Sequence, residues 1–209
     1  MRTASTSKPT ALAVDPDGIP AELKERRQWV LWRYTWKDED QKWDKPPYQC
    51  NGRFASSTDP STWGSFEEVW AVYKQGGWDG IGIMIADGLV FIDLDGCRNP
   101  QTGSIRPWSS KLRAKFRRSV PHPIEIIAKT QTFTEVSPSG SGFHLFAIGD
   151  LPEDGRKIGG KGNGCPDGLE MYKANRYSTI TGQRIESSPA TIDNCNGKLT
   201  ELWATVFGD

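Results

Sequence analysis

With 209 residues carrying 26 basic and 26 acidic side chains, the chain is long enough to bury a core without staples, and its balanced charge excludes the global positive field of a typical nucleic-acid binder. Four scattered cysteines without a CxxC pair and only two histidines exclude a classical zinc site or a disulfide framework, and they read as reduced, mostly buried thiols. No segment approaches bilayer-spanning length and the N-terminus lacks the apolar stretch of a signal peptide, so the expectation is a cytoplasmic protein with no membrane partner.

Residues 1–18, rich in Ser, Thr, Pro and Ala without periodicity, are expected to form a flexible tail, and 19–209 one domain, with an N-terminal lobe over about 19–80 and a catalytic sheet over about 80–183. The run Trp29-Val30-Leu31-Trp32-Arg33-Tyr34-Thr35-Trp36 predicts a strand that forms a hairpin, across the charged stretch Lys37 to Lys42, with a short strand near Trp43. Asn51-Gly52 marks a tight turn. Thr58-Asp59-Pro60 supplies an N-cap and a first-turn proline, and Trp63, Phe66, Trp70 and Tyr73 then share one face, predicting a helix over 60–75.

Gly80 to Ile85 and Leu89 to Asp93 read as two strands that pair antiparallel through a turn at Asp87-Gly88. The second continues as Phe91-Ile92-Asp93-Leu94-Asp95-Gly96. Alternation on a strand puts Asp93 and Asp95 on the same side, roughly 7 Å apart, where like charges need a positive partner, most simply a divalent cation. From Cys97 to Ile124 the chain carries Arg98, Arg106, Lys111, Arg113, Lys115, Arg117 and Arg118 with no acid. Trp108, Leu112 and Phe116 sit four residues apart, so this stretch predicts a helix over 108–118 whose other faces are basic and suited to a nucleic-acid backbone or to plain solvation.

Strands are expected near 124–128, 143–148, 168–172 and 177–181, with a glycine-rich basic loop over 155–164. Before the second of these, Ser137-Pro138-Ser139-Gly140-Ser141-Gly142-Phe143-His144 leads small residues directly into a strand bearing a histidine, a pattern that lets the backbone approach a phosphate. Gly168-Leu169-Glu170-Met171-Tyr172 places a third carboxylate in an apolar strand, and Arg176-Tyr177 opens the next.

This order of motifs resembles the primase-polymerase domain of the archaeo-eukaryotic primase superfamily, in particular the group attached to replication proteins of phages, plasmids and other mobile elements. The resemblance rests on Asp93-Leu94-Asp95, Ser139 to His144 and Leu169-Glu170, supported by Thr58 to Trp63, Gly80-Ile81-Gly82, Leu151-Pro152 with Gly155-Arg156-Lys157, and Arg176-Tyr177 with Thr181-Gly182, and it runs from about residue 28 to 183. It implies an α+β fold: a mainly antiparallel RRM-like catalytic sheet with flanking helices, plus an N-terminal α/β lobe, forming one cleft. The implied activity is DNA primase and DNA polymerase nucleotidyl transfer in replication of a mobile element, on a single-stranded DNA template with NTP or dNTP. Asp93, Asp95 and Glu170 would hold two Mg2+ or Mn2+ ions. Catalysis would rest on these acids with His144, and Ser139, Ser141 and His144 would contact the triphosphate. Arg176, and beyond it Arg156, Lys157 and Lys161, would neutralise phosphates, with Lys45 and Arg33 as further candidates. Members of the group often continue into a helicase; no Walker A motif is present here, so a replicative helicase in the same or a neighbouring polypeptide is the implied partner.

Two other readings compete. Asp93-Leu94-Asp95-Gly96 also resembles the opening motif of haloacid-dehalogenase-type phosphatases, and Gly149-Asp150 with Asp154 their closing one, although Cys97 stands where that family has Thr and its nucleophile belongs near the start of a parallel sheet. A non-catalytic nucleic-acid-binding replication module would use the basic helix and leave three acids idle, which is costly if they are buried.

Overall fold

The computed structural model describes residues 7–115, 120–160 and 164–208. It is an α+β fold of two antiparallel sheets, one ribbon and short helices. Trp29–Trp32 (β1), Thr35–Lys37 (β2), Lys42–Asp44 (β3), Pro47–Tyr48 (β4), Gly80–Ile85 (β5) and Leu89–Asp95 (β6) are followed by Thr134–Val136 (β7), Phe143–Ile148 (β8), Gly155–Gly159 (β9), Gly168–Tyr172 (β10) and Arg176–Ile180 (β11). The helices are Ala21–Lys24 (α1), Phe66–Tyr73 (α2), Ser110–Arg113 (α3), Pro123–Thr130 (α4) and Asn196–Phe207 (α5). A four-stranded sheet runs β11-β5-β1-β4, a five-stranded sheet runs β7-β8-β6-β10-β9, and β2 pairs only with β3.

Alternation along β6 explains the layering. Val90, Ile92 and Leu94 enter a core with Ile126, Ile127, Leu199 and Trp203, from α4 and α5. Leu89 and Phe91 face the other way, into a core shared with Leu31, Ile81 and Ile83 of the four-stranded sheet. Asp93 and Asp95 continue that second face by the same period of two. The interior between the sheets therefore changes from apolar to acidic within one strand, and a cleft opens there.

Several elements differ from the sequence expectation. The predicted hairpin of β5 with β6 does not form: β5 lies between β1 and β11, and β6 between β8 and β10. The chain does turn at Asp87 and Gly88 (φ 52° and 75°), but it passes from one sheet to the other there. Both strands are central in their sheets, hydrogen-bonded along both edges to other strands, so neither edge is left for a hairpin between them. The helix expected over 60–75 is divided. Asp59 caps a 3-10 turn over Pro60–Thr62, Trp63 is extended, and Ser65 with Glu68 forms a capping box for α2. Trp63 instead packs with Val30 and Met84.

The strand expected at 124–128 is helix α4. His122 accepts from Ile124 N–H, Pro123 occupies the first turn, and Glu125 returns to the His122 N–H, a combination of start signals that outweighs the apolar run. The first half of the glycine-rich loop is edge strand β9 on β10; Lys161 lies outside the described residues. Of the helix expected over 108–118, Ser110–Arg113 is helical and Trp108 and Leu112 are buried, while Phe116, Arg117 and Arg118 lie outside the described residues. Residues 8–18 carry neither helix nor strand, yet they are strapped down: Leu12 N–H donates to Pro138 O (2.9 Å), Asp15 N–H to Thr181 O (2.8 Å), and Lys8 pairs with Asp79 (2.8 Å). The described cysteines are free, and Cys97, Cys165 and Cys195 are buried. Among the described residues no helix is long and apolar enough to cross a membrane.

Candidate active site

Strand register assembles the site. Asp93 on β6 stands directly opposite His144 on β8 and Glu170 on β10. His144 in turn stands opposite Glu135 on β7, and Glu170 opposite Lys157 on β9. Directly paired residues share a face, so Glu135, His144, Asp93, Glu170 and Lys157 form one row across the five-stranded sheet. Asp95, opposite Gly168, continues the acidic face one step along β6.

A cleft of about 620 Å³ opens over this row. Asp93 and His144 line it from one sheet, Arg176 to Thr179 from the start of β11, and Lys45, Ser56 and Ser57 from the N-terminal part of the chain. Asp95, Glu170, Ser139 and Ser141 are not among its lining residues. Lys45 is held in place through its own backbone, whose carbonyl accepts from the Tyr177 hydroxyl.

Burial pushes the Asp93 carboxyl up to about 6; Asp95 and Glu170 add to the rise, while His144 and Lys45 oppose it. Glu170 has turned one oxygen to two donors, the Tyr172 hydroxyl at 2.9 Å and Arg176 Nη2 at 3.0 Å. Tyr172 responds: burial, then the Glu170 charge, push its phenol up to about 12. Among the described residues, no three His, Cys, Asp or Glu groups stand together ready to hold a metal ion. The donor set itself suits a hard cation, since three carboxylates share one face and Asp93 has two acids as near charges.

The Ser-Gly turn is built by its own hydroxyls. Ser139 Oγ and Ser141 Oγ lie 2.7 Å apart, Ser137 Oγ accepts from Gly142 N–H (3.2 Å), and Arg98 donates to Gly140 O at 2.7 Å. Arg98 thus serves this turn, although the sequence placed it in a basic cluster. Gly142 is pressed against the acidic strand. A Cβ there would lie 2.4 Å from Leu94 O and 3.1 Å from Asp95 Cα. Gly142→Ala is expected to lower stability by about 1–3 kcal/mol and to reduce activity on the order of a hundredfold by displacing Asp95. Melting curves and an activity assay on the same preparation check both.

Not every expected residue joins the row. Arg156 stands opposite Met171, on the helix-covered face, and donates to Phe207 O at 3.1 Å, at the end of α5 and away from the row. Arg33 lies over the rings of both Tyr48 and Trp78 (5.0 and 5.1 Å) and is not among the cleft residues. Glu135, Ser56, Ser57 and Asn175 were not expected from sequence. For Glu135 a signal existed: a lone acid in the β-branched run Thr132-Phe133-Thr134-Glu135-Val136.

No protein-family model matches the chain. It is similar to "DNA Primase-polymerase" of Nitratiruptor phage NrS-1, 34% identical over 170 residues, which cover 79% of this chain and 21% of that protein. The chain thus spans about a fifth of the length of the curated relative it matches.

Proposed function

We propose that this chain, a primase-polymerase domain of the phage type, performs template-directed nucleotidyl transfer on single-stranded DNA in the replication of a mobile element. The observation that carries the reading is the register of Asp93 with both His144 and Glu170, together with a cleft that Asp93, His144, Lys45 and Arg176 line. Asp93, Asp95 and Glu170 would hold Mg2+ or Mn2+, which when bound activates the attacking 3′-hydroxyl and neutralises charge on the leaving group. Around that centre the chain supplies orientation and charge. Lys45 and Arg176 approach the triphosphate from the opposite side of the cleft to His144, and Ser178 and Thr179 offer polar groups beside it. The partner that exposes template is a replicative helicase in the same or a neighbouring polypeptide.

The phosphatase reading lacks this support. β6 runs antiparallel to both neighbours, whereas the resemblance to that family implies a nucleophile on a parallel sheet. Asp150 is tied to Lys173 at 2.8 Å on an exposed turn.

The test is incubation with a single-stranded DNA template, mixed nucleotides and Mn2+, with products resolved by length. Products that follow the template sequence and vanish with chelator are expected. Their absence at every nucleotide and metal combination, or phosphate release from a phosphomonoester without synthesis, would reject the proposal.

A further inference from the structure

Phe54 is 66% exposed, more than Leu12 or Ile124, the other large apolar side chains in solvent among the described residues. A lone apolar ring in water is ordinary, but this one is built upon. It stacks on Tyr48 with ring centres 4.9 Å apart and planes 27° from parallel. Tyr48 is itself buried and packs against Trp78 at 5.3 Å and under the Arg33 guanidinium at 5.0 Å. The backbone is fixed too. Phe54 bridges Tyr48 antiparallel, Gln49 N–H donates to Arg53 O (2.8 Å), and the Gln49 side-chain amide donates to Phe54 O (2.8 Å). One face of the Phe54 ring is thus occupied, and its exposure falls on the rest.

Location decides what the open face meets. Pro47, just before Tyr48, and Ala55 to Ser57, just after Phe54, line the same cleft as Asp93 and His144, so the stacked pair stands at its rim. The surrounding charge is positive. From Lys45 to Thr58 the chain has Lys45 and Arg53 and no acid. Among the described residues, neither Arg53 nor Arg33 has a carboxylate within ion-pair distance. A rigid ring beside uncompensated guanidinium groups suits an unpaired nucleic-acid strand, whose bases offer flat faces and whose phosphates need cations. An apolar protein partner would leave both arginines unmatched. We infer that Phe54 is a stacking platform for a base of the unpaired template DNA at the rim of the cleft, with Arg53 and Arg33 at its phosphates. This rests on the template-directed reading given above.

The experiment is fluorescence anisotropy of two labelled single strands of equal length, one of thymidine nucleotides and one abasic throughout, titrated with the native protein, Phe54→Ala, Phe54→Leu and Phe54→Trp. Phe54→Ala is expected to weaken binding of the thymidine strand on the order of tenfold and to leave the abasic strand unchanged. Leucine, apolar but without a plane, should lose affinity as alanine does, and tryptophan should restore it. Arg53→Met should reduce the steepness of log affinity against log salt by about 0.7 on both strands, whereas Phe54→Ala should keep the native slope. Equal affinity of the native protein and Phe54→Ala for the thymidine strand would overturn the inference, including the case in which sedimentation shows Phe54 holding a second copy of the chain. An equal loss on the abasic strand would also overturn it, because the ring would then support phosphate contacts and not bases. If Phe54→Ala does not fold, Phe54→Leu decides, since leucine still covers Tyr48. Template-directed synthesis by the native protein with strand binding unimpaired in Phe54→Ala rejects this inference alone; strand binding through Phe54 without synthesis rejects the polymerase reading alone.

Discussion

Asp93→Asn is expected to abolish template-directed synthesis and, in the same protein, to raise the melting temperature in the presence of chelator at pH 8. The loss follows from removing the central acid of the row; several kcal/mol of transition-state charge stabilisation correspond to on the order of a thousandfold or more in rate. The gain in stability follows from the position of that acid. Its carboxyl is pushed up to about 6 by burial and by two neighbouring acids, whereas an unfolded aspartate titrates near about 4. Between those values the folded chain keeps a proton that the unfolded chain has released. Stability therefore falls as pH rises through this window, and the full cost is present above about pH 6. The difference corresponds to about 3 kcal/mol; because a quarter of the Asp93 side chain meets solvent, screening reduces this to about 1–2 kcal/mol. For a domain of this size that is a rise of roughly 2–8 °C. The gain should shrink at pH 5 and disappear near pH 4. Added Mg2+ or Mn2+ should stabilise the native protein but not the variant. A variant that melts lower at pH 8 would mean that Asp93 serves His144 structurally and does not occupy a site built for a cation.

How much of this was legible in the sequence depends on the range of the interaction that decides each element. Alternation along Leu89 to Asp95 is local, and it correctly put both aspartates on one face. The register that sets Asp93 between His144 and Glu170 is non-local, because residues 51 and 77 positions apart in sequence meet across adjacent strands. Only the family resemblance, not spacing, pointed to that meeting. The turn at Asp87 and Gly88 was readable as a turn, but whether its flanking strands pair is decided by which other strands compete for them. Pro121-His122-Pro123 shows the reverse case. The start signals of α4 were in plain view, and the apolar residues behind them suggested a strand. Leu199, Leu202, Trp203 and Val206, all buried, carry a helical stripe whose period could have identified α5. The face that Arg156 takes was not legible, because alternation on β9 has no meaning until the segment is known to be a strand.

Arg176→Met is expected to weaken nucleotide binding and to strengthen metal binding measured without nucleotide. Arg176 opens β11 of the four-stranded sheet, while its partner Glu170 belongs to β10 of the other. The 3.0 Å ion pair therefore joins the two sheets. The guanidinium also lies over the Tyr172 ring at 4.6 Å, and Met would retain much of that apolar contact. A triphosphate competes with Glu170 for Arg176, and a cation competes with Arg176 for Glu170. Occupation of either site releases the residue that the other needs, so metal and nucleotide should bind with positive coupling. Loss of a charge-assisted bond to phosphate costs about 1.5–3 kcal/mol, or roughly ten- to a hundredfold in nucleotide affinity. Release of Glu170 from a pair that is partly exposed (46% and 18%) is worth about 0.2–1 kcal/mol, a gain of up to about fivefold for the metal. Calorimetric titrations of Mn2+ and of a non-hydrolysable nucleotide, each alone and each with the other saturating, measure all four affinities. Opposite shifts of the two single-ligand affinities with loss of coupling are the expected pattern; a parallel fall in both would show that Arg176 organises Glu170 for the metal and does not compete with it.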